Sequence, residues 1–519
     1  MYRALVLAAL FCLSGNAAAA PPRTLTLAIG AEPDEGFDPL LGWSHGSNLL
    51  LQGTLLQQAP DLSWQPLLAE SVSRSQDGLA WRVTLKAGLR FSDGSPLGAE
   101  DVAFTYNRAA REGGKLDMGH FVAARAEDAR HLTLTLSAPQ STFNQVLGSL
   151  GIVSAKAYDP RRYARHPVSA GPYRLVSFQP GQQLVVEANP YYAGQANDFG
   201  RLVFLFLDEE AAVAATMAGQ ADLVRVSPNQ VGRVPAGLTL LERPSVENRG
   251  IMFPVVRAGR RDGQGYPVGN DVSADVSVRR AINLALDRAL LAEQLFDGHA
   301  TPAYSAVEGL PWQGEGSRFK DGDLAGAKAL LEQAGWRVGE DGIRVKGDVR
   351  AALTLWYASG DTSRRDLALA LRALLAPLGI ELQLQSGSWE RVEREMHANP
   401  VLFGWGSLDP SELLHHYGSR ARGVGYYNPG YYANAAVDRH LAQALAAPDP
   451  ASAEHHWQQV EWDGAEGAGF RGDAVWAWLL NIRHTYLANP CLDLGKTQPE
   501  IHGSWSLLSN LPTWRWTCR

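Results

Sequence analysis

The amino-acid sequence predicts an α/β fold, because strand patterns and helix patterns follow one another along its 519 residues. Residues 81–86 alternate apolar and polar side chains, which is the period of a half-buried strand. Residues 202–207 form a continuous apolar run, which is typical of a strand covered on both faces. Residues 278–288 carry apolar side chains at helical spacing. Such a mixture indicates sheets packed against helices.

The remaining elements follow from the same periods. A turn at 92–94 separates the strand 81–86 from a helix that begins near Gly98, where Glu100 and Asp101 face the positive end of the helix dipole. The helix 367–375 is stopped by Pro377. Further strands are predicted at 24–30, 132–136, 173–178, 184–188, 353–357 and 380–384, and a further helix at 211–218.

Composition limits the class of protein. The chain is 45% apolar and 19% charged, contains 15 Trp, and is long enough for two or three domains with large cores. Its net charge is −7 and it has no basic block, which argues against nucleic-acid binding.

The N-terminus has the pattern of a secretory signal peptide, assigned to residues 1–19. Arg3 precedes the apolar run 4–13, and small residues fill 17–20, so cleavage is expected near Ala19 or Ala20. No later stretch approaches the ~20 apolar residues of a membrane span. We therefore expect an exported, periplasmic protein.

Two cysteines remain after this cleavage, Cys491 and Cys518. In an exported protein an even pair near one terminus most simply forms a disulfide, although two separate buried thiols are the alternative. Closing this loop contributes about 3 kcal/mol in the chain-entropy model.

Motifs for catalysis are missing from the sequence. It contains no G-x-S-x-G, H-E-x-x-H or Walker loop, and its carboxylates are scattered. We therefore predict that the protein is not an enzyme and has no resident cofactor. A periplasmic hydrolase of unrelated fold is kept as a distant alternative.

One segment carries a family signature. Residues 91–107, FSDGSPLGAEDVAFTYN, resemble the signature of the family 5 solute-binding proteins, the peptide- and nickel-binding receptors of ABC importers. Gly98 stands where that family often has a Thr or Asp cap. Other segments match in order over nearly the whole mature chain; they include 66–78, 170–173, 189–192, 219–223, 278–288 and 323–336, the last with Gly335 at a helix C-cap position.

The resemblance implies a two-lobed periplasmic binding protein (type II, cluster C-like), with an extra subdomain in the N-terminal lobe and a hinge between the lobes. The expected lobe I comprises residues 20–58, 170–255 and 488–519. An inserted subdomain covers 59–169, and lobe II covers 256–487. Function would be closure around a solute without a chemical step.

The resemblance also places a binding loop at residues 405–410. Asp409 matches a family aspartate that can pair with the α-amino group of a peptide, a charge-assisted hydrogen bond. The alternative is that Asp409 caps a helix through Leu414. Trp405 belongs to the same loop and is a candidate for ligand contact.

Four histidines come from segments that this fold brings to the cleft, and imidazole is a standard ligand of Ni(II). They are His45, His415, His416 and His484. His415 and His416 are adjacent, so their side chains diverge on a helix and at most one should face the cleft.

Aromatic and basic residues supply further candidates. An apolar pocket could be lined by aromatic side chains, namely Trp43, Phe121, Trp389, Trp405, Tyr426 and Tyr427. Packing into the core is the default for each of them, and Trp405 and Tyr427 are the favoured pocket residues. Arg420 and Arg422 could bind a ligand carboxylate, or could lie in a solvated loop.

These observations predict a monomeric receptor that delivers its solute to the membrane subunits of an ABC importer. The histidines favour nickel or a nickel chelate as the transported ligand. Asp409 favours a di- or oligopeptide, which is the alternative.

Overall fold

The computed structural model describes residues 23–30, 32, 36–41, 48–112, 118–195, 198–232, 234–496 and 498–518. The predicted signal segment, Trp43 and His45 lie outside these residues. Among the described residues, no helix combines the length and the apolar character needed to cross a bilayer.

The α-helices range from one to four turns. They are α1 (Asn48–Leu51), α2 (Ala99–Glu112), α3 (Phe143–Ser149), α4 (Glu209–Met217), α5 (Val276–Ala285), α6 (Arg288–Phe296), α7 (Leu324–Gln333), α8 (Thr362–Leu375), α9 (Trp389–Glu395), α10 (Ser411–Tyr417), α11 (Ala435–Ala446) and α12 (Pro450–Gln458).

The strands form three main sheets and several short hairpins. They are β1 (Arg23–Ala28), β2 (Leu56–Gln58), β3 (Trp64–Pro66), β4 (Ala69–Arg74), β5 (Ala80–Leu85), β6 (Phe121–Ala126), β7 (His131–Leu136), β8 (Tyr173–Gln179), β9 (Gln183–Ala188), β10 (Phe199–Leu205), β11 (Leu223–Val226), β12 (Thr239–Arg243), β13 (Asn248–Met252), β14 (Arg260–Arg261), β15 (Pro267–Val268), β16 (Ala300–Pro302), β17 (Arg337–Val338), β18 (Arg344–Lys346), β19 (Val349–Arg350), β20 (Ala352–Ala358), β21 (Glu381–Gly387), β22 (Val401–Phe403), β23 (Trp476–Ile482), β24 (His484–Ala488), β25 (Leu492–Asp493) and β26 (Arg515–Trp516).

A seven-stranded mixed sheet is the centre of lobe I, with the order β12-β24-β11-β1-β10-β9-β8. β1 runs parallel to both β10 and β11, and the outer pairs are antiparallel. Leu25, Leu202 and Leu223 are wholly buried in its core. The continuous apolar run at 202–207 predicted a strand covered on both faces, and this is wrong: β10 ends at Leu205, Leu202 and Phe204 are buried while Val203 and Leu205 are only partly covered, and Leu207 is 42% exposed.

A six-stranded sheet is the centre of lobe II, with the order β16-β23-β13-β22-β20-β21. β20 lies parallel to β21 and β22, while β13 pairs antiparallel with β22 and β23. Every residue of β13 and β23 is buried, because helices and loops cover both faces of the central strands.

The inserted subdomain, called the insert below, has a four-stranded antiparallel sheet of its own, with the order β4-β5-β7-β6. Trp81, Val83 and Leu85 of β5 point into its core, where they meet Val102 and Tyr106 of α2. The strand–turn–helix corner predicted from the signature segment is therefore confirmed. Gly98 lies at the start of α2, and its N–H donates to Asp101 Oδ2 at 3.0 Å.

The chain passes between the two large sheets at two places. Residues 244–247 join β12 to β13, and Arg483 joins β23 to β24. Both crossings come before the predicted boundaries at 255/256 and 487/488, so β13 lies in the lobe II sheet and β24 in the lobe I sheet. We call these two crossings the hinge.

Two local expectations differ from the structure. The helix predicted at 278–288 ends at Ala285, because the side chain of Asp287 accepts a hydrogen bond from the N–H of Leu290 and starts α6. Helix α9 and strand β22, which precede the loop at Trp405, were not recognised in the sequence.

The tail of the chain packs on lobe I. Cys491 and Cys518 are joined by a disulfide, with Cα atoms 5.1 Å apart. The ring of Trp505 stacks on Phe204 with centroids 4.8 Å apart, and Trp514 is wholly buried.

Candidate ligand-binding site

Trp405 is fixed against the hinge by its backbone. Its N–H donates to Asn248 Oδ1 at 2.9 Å, and its carbonyl accepts from the Asn248 N–H at 2.8 Å. A Cβ atom at Gly406 would lie only 2.5 Å from the carbonyl oxygen of Val246, so no side chain fits there. This close approach places the half-buried Trp405 ring at the junction of the lobes.

Four further rings continue from Trp405 across lobe II. We call Trp389, Phe403, Trp405, Tyr426 and Tyr427 the aromatic wall. Trp389 stacks parallel to Phe403 at 5.8 Å, Tyr426 meets both edge-on, and Tyr427 lies 5.9 Å from Trp405. Trp389 is 40% exposed, whereas Phe403 is buried beneath it. Exposed aromatic surface on a fixed support is suited to binding the apolar part of a ligand.

His415 and His416 on α10 point in different directions, as the sequence predicted. The half-buried His415 stacks on Tyr427, with ring centroids 4.1 Å apart and nearly parallel planes. His416 is only 1% exposed and packs between Trp405, Trp476 and Trp478. His415 therefore extends the wall, and His416 supports it from below.

Asp409 takes part in the start of α10. Its Oδ1 accepts from the N–H of Ser411 at 2.9 Å, and its carbonyl accepts from the N–H of Glu412. Pro410 is the N-cap residue of α10 and its side chain makes no capping hydrogen bond, so Asp409 forms a local turn before α10 and not the cap that was the alternative in the sequence. The residue is half-buried, and its pairing with a ligand ammonium group stays a prediction.

His484 does not face a ligand cleft. Its side chain is wholly buried, with Nε2 2.7 Å from Glu247 Oε2 and Nδ1 2.6 Å from Glu500 Oε2. The hydroxyl of Tyr486 donates to the same oxygen of Glu500 at 2.7 Å. Because both ring nitrogens are engaged by carboxylates inside the hinge, the predicted role of His484 as a metal ligand is wrong.

Glu247 connects this hinge cluster, which comprises Glu247, His484, Tyr486 and Glu500, to nearby arginines. Its Oε1 accepts from Arg249 at 2.8 Å, and Arg225 lies 3.4 Å from Oε2. Burial opposes ionisation of Glu247, but the nearby charges of His502 and Arg249, with the hydrogen bond from His484, hold its pKa well below the usual value.

A pair of buried arginines borders the wall and was not recognised in the sequence. Arg249 and Arg364 are 5% and 6% exposed, and both reach Gly404, where a Cβ atom would lie 2.4 Å from one guanidinium and 3.0 Å from the other. Arg364 also lies over the ring of Trp389, at 5.3 Å. The Nε atom of each arginine is buried without a hydrogen-bond partner. The sequence does contain a signal for them, a charged residue next to a largely apolar segment. Arg249 precedes the segment 250–253, and Arg364 follows the segment 353–358.

Asp361 partly balances these cations. Its side chain pairs with Arg364 and also accepts from the N–H of Arg364 at the start of α8. Burial raises its pKa, but the charges of Arg364 and Arg249 outweigh burial and lower the pKa to about 2. Burial, together with the charge of Arg249, lowers the pKa of Arg364 to about 10, so the guanidinium stays charged at neutral pH.

The other predicted site residues are not gathered at the wall. Phe121 packs against Tyr106 inside the insert, because β6 belongs to the insert's sheet, so it takes the core position that was the default for each aromatic candidate. Arg420 and Arg422 are exposed in the loop after α10, and Arg422 donates to the carbonyl of Ser419. Trp43 and His45 lie outside the described residues.

A metal site is not formed by the residues that the structure describes. Among them, no three His, Cys, Asp or Glu side chains are grouped so that they could hold a metal ion. Of the four predicted metal ligands, His415 alone combines a described position with partial exposure.

Two α/β lobes joined by two chain crossings, with an aromatic wall at their junction, define a two-lobed solute-binding protein. Residues 63–425 match the family model described as bacterial extracellular solute-binding proteins, family 5 Middle. The chain belongs to this family of solute-binding proteins of ABC importers.

Individual proteins show the same relationship. Protein XP55 of Streptomyces lividans is 31% identical over 499 residues, which cover 92% of this chain and 87% of that protein. The structure of NikZ from Campylobacter jejuni in complex with Ni(L-His) has a TM-score of 0.79 at 21% identity, covering 95% and 100% of the two chains. The oligopeptide-binding protein AppA of Bacillus subtilis, in complex with a nonapeptide, has a TM-score of 0.73 at 21% identity, covering 96% and 99%.

Proposed function

We propose that this protein is the periplasmic substrate-binding component of an ABC importer and captures a short peptide, or a similar organic solute with amino and carboxylate groups. It delivers this solute to the permease subunits in the inner membrane. Membership of family 5 supports the transport role. The ligand class rests on the site alone.

The observation that carries the ligand class is the aromatic wall at the hinge. Its rings cover apolar parts of a ligand, and Trp389 is exposed enough for direct contact. Cationic Arg249 and Arg364 converge on Gly404, directly before Trp405 in the chain, and the half-buried Asp409 comes after Trp405 in the same loop. A ligand carboxylate suits the guanidinium side, and an ammonium group suits Asp409. Apolar lining with a few charged groups is the usual composition of a solute site.

A nickel chelate is the second candidate. His415 stacks on the edge of the wall, and His45 is predicted to join it from the N-terminal loop. A chelate such as nickel with free histidine brings most of its own ligands, so one or two protein imidazoles are enough to complete the coordination. The structure of NikZ with Ni(L-His) favours keeping this candidate.

Closure of the lobes would complete the site. The two crossings at 244–247 and Arg483 are short, and the lobes touch beside them. Asn229 of lobe I donates to Asp366 Oδ2 of lobe II at 3.2 Å, and His299 Nδ1 lies 3.2 Å from Glu242 Oε2. A ligand held between lobes stabilises this arrangement by its greater affinity for the closed state.

Calorimetry on denatured, ligand-stripped and refolded protein separates the candidates. The titrants are a mixture of di- and tripeptides, Ni(II) alone, and Ni(II) with free L-histidine. We expect heat from the peptide mixture. If heat comes only from a nickel titrant, the ligand is a nickel chelate and not a peptide. Chemical turnover of any titrant would contradict the proposal that the protein only binds its solute.

Trp389→Ala tests the wall itself. We expect the affinity for the titrant that binds to fall about tenfold, because aromatic anchors commonly carry more than ~1 kcal/mol of binding energy. Tyr191→Ala is the matched control, since Tyr191 is 44% exposed on lobe I away from the wall. Equal affinities of the two variants would place the ligand elsewhere.

A further inference from the structure

Helix α11 of lobe II ends with carbonyl groups that need donors. The last four carbonyls of any helix lack an intrahelical partner. The last turn of α11 contains no basic side chain, and the N–H of Ala447 returns only to Ala444, at 3.4 Å. Helix α11 and the residue that follows it therefore supply few hydrogen-bond donors to the last carbonyl groups of the helix.

The insert supplies these donors from across the molecule. The Ser141 N–H donates to the carbonyl of Leu445, and its hydroxyl donates to the carbonyl of Ala444, both at 2.8 Å. Arg74 Nη1 donates to the carbonyl of Ala447 at 3.2 Å. A cation here also interacts favourably with the negative end of the helix dipole.

The two sides of this contact belong to different lobes. The insert is tied to lobe I, for example by the hydrogen bond from the Phe37 N–H to the Ala164 carbonyl at 2.8 Å. α11 is packed into lobe II, where Leu441 shares a core with Trp476 and Trp478. The insert moves with lobe I and α11 moves with lobe II, so any rotation that carries the two apart must break these hydrogen bonds.

α11 also supports the helix beneath the wall. The N–H of Ser419, just after α10, donates to Asp438 Oδ1 on α11 at 2.9 Å. α10 carries His416, which packs under Trp405, and His415, which stacks on Tyr427. A contact that fixes the C-terminal end of α11 is therefore linked to the aromatic wall, because α11 holds the end of α10 and α10 contacts the wall.

We infer that Arg74 and Ser141 form a clasp that holds the lobes closed by capping the C-terminal end of α11. Arg74 and Ser141 are positioning residues in this role, since they act on the ligand through the lobes. The inference rests on the proposed function in one respect: it takes the space between the lobes to be the place where the solute binds. It predicts slow ligand release, because the cap must break before the lobes part.

The direct test measures the distance between the lobes without any ligand. Spin labels at Val122→Cys in the insert and Val338→Cys in lobe II suit double electron–electron resonance, because these residues are 58% and 59% exposed. In the Arg74→Ala/Ser141→Ala variant we expect the ratio of closed to open molecules to fall at least tenfold. Each lost hydrogen bond accounts for about a factor of five.

The matched control is Arg82→Ala/Ser137→Ala. Arg82 and Ser137 are exposed residues of the insert, and the hydroxyl of Ser137 donates to the His120 carbonyl within the insert. The control should keep the parental distance distribution. An unchanged distribution in the clasp variant would overturn the inference, and so would an equal change in the control.

Two further measurements keep the test decisive. Hydrogen exchange of the Ser141 amide should be slow in the parent and fast in the Arg74→Ala single variant, which removes one donor and leaves the Ser141 backbone in place. Stopped-flow release of the peptide mixture should be about tenfold faster in the clasp variant than in the control. If no peptide binds, the resonance and exchange results still decide on the clasp, while the ligand proposal fails separately.

Discussion

The hinge cluster and the aromatic wall lie side by side at Asn248 and Trp405 but use opposite chemistry. The hinge cluster is charged and sealed, with His484 between Glu247 and Glu500. The wall is apolar and partly open, with Trp389 40% exposed. Charged residues are costly to bury unless they are paired. In this molecule the buried charged residues of the hinge cluster fix the junction of the two lobes, and the surface available to a ligand is mainly aromatic.

The largest expected effect comes from breaking the hinge cluster. His484→Ala leaves Glu247 and Glu500 facing an empty space without their shared partner. We expect the free energy of unfolding to fall by about 3–5 kcal/mol, the usual cost of removing one partner from a buried charge pair. Denaturant titration measures it. His131→Ala, which removes an exposed histidine beside Asp128, should change stability by less than ~0.5 kcal/mol. A small effect at His484 would mean that the cluster is not a structural unit.

Gly404→Ala tests the packing between the hinge cluster and the aromatic wall. The new Cβ atom would lie 2.7 Å from the backbone carbonyl oxygen of Asn248, as well as 2.4 Å from Arg249. Because the carbonyl cannot move freely, we expect a loss of about 1–3 kcal/mol in stability and a weaker response of the protein's tryptophan fluorescence to ligand. Gly263→Ala is the control, since its Cβ would meet open space. Parental behaviour of Gly404→Ala would show that the border is loosely packed.

Asp361 gives a smaller effect that depends on pH. Its pKa is lowered from the usual 3.8 to about 2, so its stabilisation is complete above pH ~4 and is lost as the pH falls towards 2. The contribution is on the order of 2 kcal/mol. Asp361→Asn keeps a capping side chain but loses the charge. We therefore expect it to be less stable than the parent at pH 6 and nearly equal at pH 2, and a pH-independent difference between the two would refute the ion-pair explanation.

The sequence predicted correctly those features of the fold and of the candidate site that depend on residues close together in the chain. The strand–turn–helix corner at 81–107 and the divergence of His415 and His416 follow from local periodicity, whereas the apolar run at 202–207 was misleading, because only alternate residues of β10 are buried. The burial of His484 does not follow from local periodicity either, because all five residues of β24 are buried and the usual alternation of faces is lost. Likewise, Glu247 meets His484 across 237 residues of sequence, and Arg249 and Arg364 come together only at Gly404, so no local pattern contains these contacts.

Asp409 shows a different limit. A carboxylate at the start of a helix can bind a ligand or cap the helix, and the residue type is the same for both. The hydrogen bond from the Ser411 N–H holds the Asp409 carboxylate in a turn just before α10. Ligand contact would be an additional role, which peptide titration of Asp409→Asn, able to accept the same hydrogen bond but uncharged, can measure.

The hinge cluster also bears on how the protein folds. His484 meets Glu247 across 237 residues of sequence, and Glu500 joins only when the tail is in place. Contacts between such distant residues are slow to form, because much of the chain must already be ordered before they gain anything. We expect the hinge to be among the last parts to assemble. Ligand stripping by denaturation should therefore be followed by a long refolding period before lobe closure is measured.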